Sequence, residues 1–387
     1  MILHIARDEK FIDGGLAYFD AFFPGRNKLV LLQTQKEQSR KFVKYANAAS
    51  VFFASRKEAL FWVRSIAPSD FIVMHGMDPL QALLVNMLPK TQKVLWINLG
   101  FEIYNQLGEF RADLWGEHTR AIQPKQISEL SRVWHWRMNA WLGRFAKAPT
   151  TLQGVYRAMF RAQWVGNFIK EDWDCICQRI AFPNQRIWML YNDIDETIGK
   201  DLLEQYCQGS NIWLGNSATP ENNHLEALAR LAEFPLGTSK VICPLSYGNA
   251  SYAERCSAAA EKILPGRMQI LREFMDRNDY NRLMLSCPVV IMNHWRQQAV
   301  GNVLTALWLG ARVYMSEKST VYRHFANLGI LIFTVEKDLQ VNNPHALQAL
   351  SSEERIHNQN ILLAEYSHAR VLERMGSELL RVVGSNP

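Results

Sequence analysis

Ile291-Met292-Asn293-His294-Trp295-Arg296-Gln297-Gln298-Ala299-Val300-Gly301, followed by the apolar run Val303 to Leu309, reads as a buried strand, a polar turn and a helix. A strand that ends in an Arg-Gln-Gln turn and passes through a Gly into a helix aims backbone N–H groups, a positive dipole end and one guanidinium at a single point. That combination suits a diphosphate, with Arg296 as its cation and Gln297, Gln298 and the amides near Gly301 as neutral donors. The same residues also describe an ordinary strand-to-helix connection whose Arg pairs with a carboxylate.

Outward from this stretch, short apolar runs alternate with longer amphipathic ones. Met1 to Ala6, Lys28 to Gln33, Ser50 to Ala54, Phe71 to His75 and Lys93 to Leu99 have the composition of buried strands. The pattern restarts with Asn211 to Leu214, Lys240 to Pro244, Met268 to Leu271, Val289 to Asn293, Arg312 to Met315 and Ile330 to Thr334. Helical patterns such as Asn223 to Phe234, Ser251 to Ile263 and Val300 to Leu309 separate them. Two α/β blocks of this kind predict two doubly wound, Rossmann-like domains facing each other across a cleft. The expected division is 1–205, 206–365 and a C-terminal helix, 366–387, packing back on the first domain. A Trp-rich helical region and then Phe182 to Asp195 are read as the approach to the linker.

A chain of 387 residues exceeds what one core usually supports, and its 48% hydrophobic content excludes disorder. Met1 to Ala6 is too short and too soon interrupted by Arg7-Asp8-Glu9-Lys10 for a signal peptide, and no run of about 18 apolar residues is present. The expected place is the cytosol or a membrane face. Cys175 and Cys177 are one residue apart, closer than zinc-binding pairs, and the remaining cysteines read as buried free thiols in a reducing compartment. Asp172-Trp173-Asp174 and Asp193-Ile194-Asp195 resemble a metal-binding pair, but that pattern is frequent by chance. Neither a metal nor a cofactor is expected.

The net charge of +6 is concentrated: from Arg111 to Lys170 there are ten Lys or Arg against three Asp or Glu, and five of the twelve tryptophans. Arg132, Trp134, Arg137, Trp141 and Arg144 mix rings and cations as an anionic membrane surface requires. Trp134, Met138, Trp141 and Phe145 also recur at helical spacing, which describes a buried helix face equally well. Nucleic acid is not an expected partner, because no recognition-domain signature accompanies the aromatics.

Other candidates stand at strand ends. Gly215, Asn216 and Ser217 follow the first strand of the second block, where a Gly admits close approach of backbone to phosphate; read alone they are also a common turn. Tyr247 follows Lys240 to Pro244, in place to offer a ring to a base or a hydroxyl to phosphate, or to be a plain loop tyrosine. Asp8 and His75 follow strands of the first block and are expected on the cleft, although a lone strand-end His is more often structural.

Taken in order, Leu214-Gly215-Asn216-Ser217, Asn222-Asn223-His224, Pro244-Leu245-Ser246-Tyr247-Gly248 and Arg296-Gln297-Gln298 with Gly301 resemble the motifs of a bacterial family. It is the TDP-N-acetylfucosamine:lipid II N-acetylfucosaminyltransferases, which complete the repeat unit of enterobacterial common antigen. The match is clearest over about residues 211 to 335, and His75-Gly76 and Gly100-Phe101-Glu102 with Tyr104 stand in register where that family has His-Gly and Gly-Ala-Asp-x-Tyr. The resemblance implies a metal-independent GT-B glycosyltransferase. A TDP-sugar would be held mainly by the second domain, and a polyprenyl-diphosphate-linked acceptor approached by the first, with Asp8, His75 and Tyr104 on the acceptor side. It also implies a peripheral position on the cytoplasmic face of the bacterial inner membrane. Glu102, following the strand Lys93 to Leu99, is the candidate general base, one methylene longer than the family's usual Asp. It competes with a Glu that only binds a sugar or caps a helix. The alternatives are a transferase of the same architecture with another nucleotide sugar and a soluble or protein acceptor, and a non-catalytic nucleotide-sugar-binding protein.

Overall fold

A computed structural model describes residues 1–104, 114–123, 134, 137–139, 141–142 and 151–384. Seven strands form the first sheet: β1 (Ile2–Ala6), β2 (Asn27–Leu32), β3 (Ala49–Val51), β4 (Phe71–His75), β5 (Val94–Ile97), β6 (Trp164–Asn167) and β7 (Gln185–Trp188). Their order is β3-β2-β1-β4-β5-β6-β7, and every pairing is parallel. Six strands form the second: β8 (Ile212–Leu214), β9 (Val241–Pro244), β10 (Met268–Leu271), β11 (Val289–Met292), β12 (Arg312–Met315) and β13 (Phe333–Thr334). Their order is β10-β9-β8-β11-β12-β13, again parallel throughout.

The central strands β1, β4, β5, β8 and β11 are nearly continuous apolar runs because helices cover both faces of each sheet, leaving no solvated side to alternate toward. On one face of the first sheet Met74, Val94 and Trp96 meet Val63, Leu84 and Met159 of the helices Arg56–Arg64, Pro79–Met87 and Thr151–Arg161. On the other face Phe71, Val73 and Leu95 meet Tyr18 and Phe19 of Ile12–Phe22. The period-2 alternation of β4 and β5 thus divides their side chains between two apolar layers. The helix His368–Val383 lies against Ile12–Phe22 so closely that a Cβ on Gly376 would stand 2.4 Å from the Phe22 ring.

All eleven strands expected from sequence are present; Phe71–His75, Met268–Leu271 and Arg312–Met315 have the expected ends, and the others differ by at most three residues at either end. β6 and β7 were not expected. The stretch read as Trp-rich and helical contains β6, and the stretch read as the approach to the linker contains β7, so the first sheet continues to Trp188. Trp115 is buried and Trp164 lies half-buried on β6, its indole N–H donating to Gln185 Oε1 at 3.1 Å. These two rings therefore belong to the fold and not to a surface. Trp134 and Trp141 are 60% and 62% exposed, Arg137 is exposed and Met138 is half-buried, so the described part of that helical face is not a buried one. Arg132 and Arg144 lie outside the described residues. Among the described residues no helix is long and apolar enough to cross a membrane.

Candidate active site

Strand order reverses between β8 and β11 in the second sheet, and the carboxyl ends of these two neighbours open a crevice of the kind where doubly wound folds hold ligands. Gly215 leaves β8 at φ +70°, and a Cβ there would stand 2.5 Å from His224 Nε2. Only glycine serves both requirements. The turn that it starts is organised by Asn222, whose Oδ1 accepts from the Asn216 N–H at 3.1 Å and whose Nδ2 donates to the Ser217 carbonyl at 3.1 Å.

Across the crevice, the Gln298 amide donates to Asn216 Oδ1 at 3.0 Å, to Thr219 Oγ1 at 3.2 Å and to Ser217 Oγ at 3.5 Å. Asn216 Nδ2 donates in turn to the Tyr247 hydroxyl at 2.8 Å, and the Tyr247 ring remains exposed. Asn216, Ser217, Tyr247 and Gln298, from three separate strand ends, are thereby brought into one polar cluster.

Several helices begin on a side-chain cap, while Ile12–Phe22, Lys170–Arg179 and His368–Val383 do not. Asp78 caps Pro79–Met87, Asn249 caps Ala250–Ile263 and Ser351 caps Ser352–Tyr366. The two that start at the crevice, His224–Leu231 and Val300–Trp308, have no such cap and follow residues in left-handed conformation, Asn223 at φ +49° and Ala299 at φ +53°. For Ala299 this conformation costs about 1–2 kcal/mol. Uncapped first turns turn N–H groups and positive dipole ends toward the crevice. Gly301 is the second residue of its helix, with ordinary φ and room for a Cβ.

The turn between β11 and this helix is rich in buried polar atoms that have no partner among the described residues. They are Asn293 Oδ1, Trp295 Nε1, Arg296 Nε and Gln298 Oε1. Such atoms cost about 1–3 kcal/mol each when left unpaired, so a native segment that concentrates them is built around something it binds.

Arg296 is 8% exposed; one Nη donates to the Gln297 carbonyl at 3.0 Å, and the guanidinium lies 5.1 Å from the centre of the Tyr104 ring. Tyr104, which the resemblance puts on the acceptor side, is itself buried. It supports Arg296 from below, and its hydroxyl donates to Asp172 Oδ1 at 2.9 Å. The same oxygen accepts the Gln297 N–H at 2.8 Å and the Thr320 hydroxyl at 2.7 Å. Asp172, on the helix Lys170–Arg179 that follows β6, thus ties the first half of the chain to the Arg-Gln-Gln turn. Burial raises its carboxyl above the usual range against the pull of these donors and of Arg296. Gln297 is tied by this contact, and its amide oxygen accepts from Asn167 at 3.4 Å.

On the first half, Glu102 is fully buried. Its Oε1 accepts the Trp96 indole N–H at 2.9 Å and the Leu99 N–H at 3.1 Å, while Oε2 has no partner among the described residues. Burial pushes this carboxyl up to about 7, only partly opposed by its own backbone N–H and by the Trp96 and Leu99 donors. It is poised to exchange a proton near neutrality.

His75 is not open to the cleft. Buried at the end of β4, it contacts His4 Nδ1 through Nε2 at 3.0 Å and the Tyr191 hydroxyl through Nδ1 at 2.7 Å. Asp8 is likewise engaged elsewhere. It accepts the backbone N–H groups of Lys41, Phe42 and Val43 at 2.5, 3.1 and 2.8 Å, which outweigh its partial burial and hold its carboxyl below the usual range. Asp8 therefore fixes the loop that follows β2.

Between the halves lies a cavity of ≈ 250 Å³, walled by Phe11, Ile97, Phe168 and Met189 and rimmed by Asn98, Tyr191, Asn192 and Thr197 from the first half and its linker, with Gln297 and Gly301 opposite. Sequence reasoning missed Asp172, dismissed as part of a chance Asp-x-Asp, and also Thr219 and Tyr191. The polar Asn222-Asn223-His224 run was the available signal for the first turn; nothing local marks Tyr191.

Two parallel sheets, each opening a crevice at its carboxyl edge toward the other half, make a GT-B glycosyltransferase fold. Solved structures share it along the whole chain. The lipopolysaccharide outer core galactosyltransferase WaaB superposes with a TM-score of 0.61 at 9% identity, over 98% of this chain and 99% of that one. A glycosyltransferase from Rickettsia africae ESF-5 gives 0.64 at 9% identity, over 100% and 99%. An α,α-trehalose 6-phosphate synthase from Burkholderia multivorans gives 0.60 at 11% identity, over 99% and 98%. At such identities the likeness is one of fold.

The family is given by sequence. The profile of the 4-alpha-L-fucosyltransferases, glycosyl transferase group 56, matches residues 125–362, more than half of the chain. The chain belongs to this family and is a glycosyltransferase, in keeping with the fucosaminyltransferase resemblance read from its motifs.

Proposed function

We propose that the protein transfers a deoxyamino sugar of the N-acetylfucosamine type from a TDP-sugar to a polyprenyl-diphosphate-linked oligosaccharide, in the synthesis of a bacterial surface polysaccharide. The observation that carries the donor side is the run of unpartnered buried polar atoms from Asn293 to Gln298, set against the uncapped helix start at Val300. Arg296, Gln297 and the N–H groups at Val300 and Gly301 take up the charge that develops on the diphosphate as its bond to the anomeric carbon breaks, and Gln298 holds Asn216 and Ser217 in place beside it. Gly215, Asn216 and Ser217 bring backbone and hydroxyl donors to the opposite side, and the exposed Tyr247 ring offers a face to the base.

As the acceptor oxygen bonds to the anomeric carbon, its proton passes to a carboxylate, for which Glu102 is the candidate through Oε2. His75 and Tyr104 act behind the site, through Tyr191 and Arg296, and Asp8 through the loop that it holds. The acceptor side at the cytoplasmic face of the inner membrane is favoured by the exposure of Trp134, Arg137 and Trp141 in the most basic part of the chain.

Thermal unfolding with TDP, UDP, GDP, CMP and ADP, with and without magnesium, tests the donor side. A rise in midpoint with TDP that needs no metal is expected, and no rise with any nucleotide refutes the diphosphate site. Flotation with anionic liposomes at low salt tests the membrane side. A protein that stays at the bottom of the gradient with neutral and anionic liposomes alike removes that part of the reading.

A further inference from the structure

Behind the inter-sheet cavity runs a chain of buried polar groups whose direction can be worked out from its far end. Asn27 Nδ2 donates to Asp20 Oδ1 at 2.7 Å and to the Phe23 carbonyl at 3.0 Å, which fixes its amide orientation and leaves Oδ1 as an acceptor. His4 Nε2, 3.2 Å from that oxygen, must carry a hydrogen. Burial lowers His4 to about 4 and His75 well below its ordinary value, so each ring is neutral and has one hydrogen only. His4 Nδ1 is then an acceptor, His75 Nε2 donates to it, and His75 Nδ1 in turn accepts the hydrogen of the Tyr191 hydroxyl. The Tyr191 hydrogen points inward, and its oxygen is left with lone pairs alone.

Tyr191 and its neighbour are given their places at a cost elsewhere. Gly14 and Gly15 stand inside the helix Ile12–Phe22, where each is disfavoured against Ala by about 0.5–1 kcal/mol. A Cβ on Gly15 would fall 2.2 Å from Tyr191 Cδ1, and one on Gly14 would fall 2.2 Å from Asn192 Oδ1. The helix is thinned where these two rim residues cross it. Around the rim, Asn98 accepts the Gly100 N–H and Gln297 accepts from Asn167, each through its amide oxygen, which leaves their N–H groups for a ligand. The wall opposite is apolar, and the volume of ≈ 250 Å³ admits one sugar ring.

We infer that this cavity binds a single glycosyl unit of one of the two substrates, its C–H face on Phe168 and Met189, and that Tyr191 selects it by accepting a hydrogen bond from a ring hydroxyl or amide N–H. His75 and His4 are positioning residues: they hold the Tyr191 hydroxyl in the orientation that makes it an acceptor. The inference rests on the chain's being a glycosyltransferase and is independent of which nucleotide carries the donor.

Long-range proton–nitrogen spectra of the full-length 15N-labelled protein test the direction of the chain. His4 and His75 are expected as neutral rings protonated on Nε2 at pH 6 to 8; His75 protonated on Nδ1 would overturn the inference, because Tyr191 would then face the cavity as a donor. Millimolar N-acetylglucosamine, fucose and mannose are added in turn. At least one is expected to move the His75 nitrogen signal, with binding about two- to tenfold weaker in Tyr191→Phe. No response from any sugar, or an equal one in the variant, overturns it.

Tyr191→Phe leaves His75 Nδ1 without its donor, so its melting midpoint should fall by several degrees; a single cooperative transition and an unchanged far-UV circular dichroism spectrum serve as the control for folding. In turnover, a raised KM for the acceptor assigns the cavity to the acceptor and a raised KM for the donor assigns it to the donor, while two unchanged values count against the site. If TDP fails to stabilise the protein yet sugars still move His75, the nucleotide reading falls and the sugar subsite stands.

Discussion

Glu102→Gln separates the charge of this carboxyl from its shape. The glutamine carbonyl can still accept from Trp96 and Leu99, while an NH2 takes the place of Oε2, where the cost of a buried unpaired donor is about 1–3 kcal/mol. Wild type carries a different penalty. Its carboxyl is raised by burial from 4.5 to about 7 in the folded protein, so over that interval the native state holds a proton that the unfolded chain has released. Stability therefore falls as pH rises, by roughly 3 kcal/mol in all, most of it between pH 5 and 8.

The variant has no such slope. Urea unfolding of both proteins at pH 5, 6, 7 and 8, followed by tryptophan fluorescence and far-UV circular dichroism, should show Glu102→Gln gaining on wild type by roughly 2 to 3 kcal/mol across the series. A relative change under about 1 kcal/mol would mean that Glu102 is solvated or paired in the native protein, and the argument from its burial would fail. The general-base role has its own readout: wild-type transfer should rise through an inflection near pH 7 to a plateau, and the variant should lose the plateau. A full stability swing without that inflection would leave the burial intact and remove the catalytic role.

Asp172→Ala strands the Tyr104 and Thr320 hydroxyls and the Gln297 N–H, and should cost about 3 kcal/mol or more in urea unfolding; Asp172→Asn keeps the accepting oxygen and should cost less than half as much. Gly215→Ala must place a Cβ against His224 at φ +70°, so it should lose about 1–3 kcal/mol and, with the turn displaced, the stabilisation by TDP as well. Arg296→Ala should lower kcat about a hundredfold or more while the thermal midpoint moves by only a few degrees. Replacing Trp134 and Trp141 by Ala with Arg137→Glu should reduce binding to anionic liposomes about tenfold or more, with no change in turnover of a short-chain acceptor in solution.

The strands that sequence reading found are those whose side chains are apolar on both faces, such as Phe71 to His75 and Val289 to Met292, because burial on two sides writes an uninterrupted signal. β6 and β7 are written differently. Trp164-Val165-Gly166-Asn167 is short and ends in a Gly and an Asn, and Gln185-Arg186-Ile187-Trp188 opens with two polar residues at the sheet's outer edge. Neither exceeds what a loop displays.

The motifs at the crevice of the second sheet were legible because Gly215, Gln298 and Tyr247 each follow a clear strand. What was not legible is contact made through tertiary structure. Asp172 has the same neighbours in sequence as a chance Asp-x-Asp, and its three donors lie 68, 125 and 148 residues away. Asp8 and His75 were correctly placed at strand ends, yet the groups that occupy them, the Lys41–Val43 backbone and the His4–Tyr191 pair, come from elsewhere in the chain.

The attachment of Gln297 to Asp172 bears on how such enzymes can be recombined. Exchanging residues 206–365 for the corresponding part of a relative, to change the donor sugar, would transplant the Arg296 loop without the carboxylate and the aromatic ring on which it rests. A functional hybrid has to carry Tyr104, Asp172 and their packing partners across with the graft, so the unit of exchange is larger than the second sheet and is discontinuous in sequence.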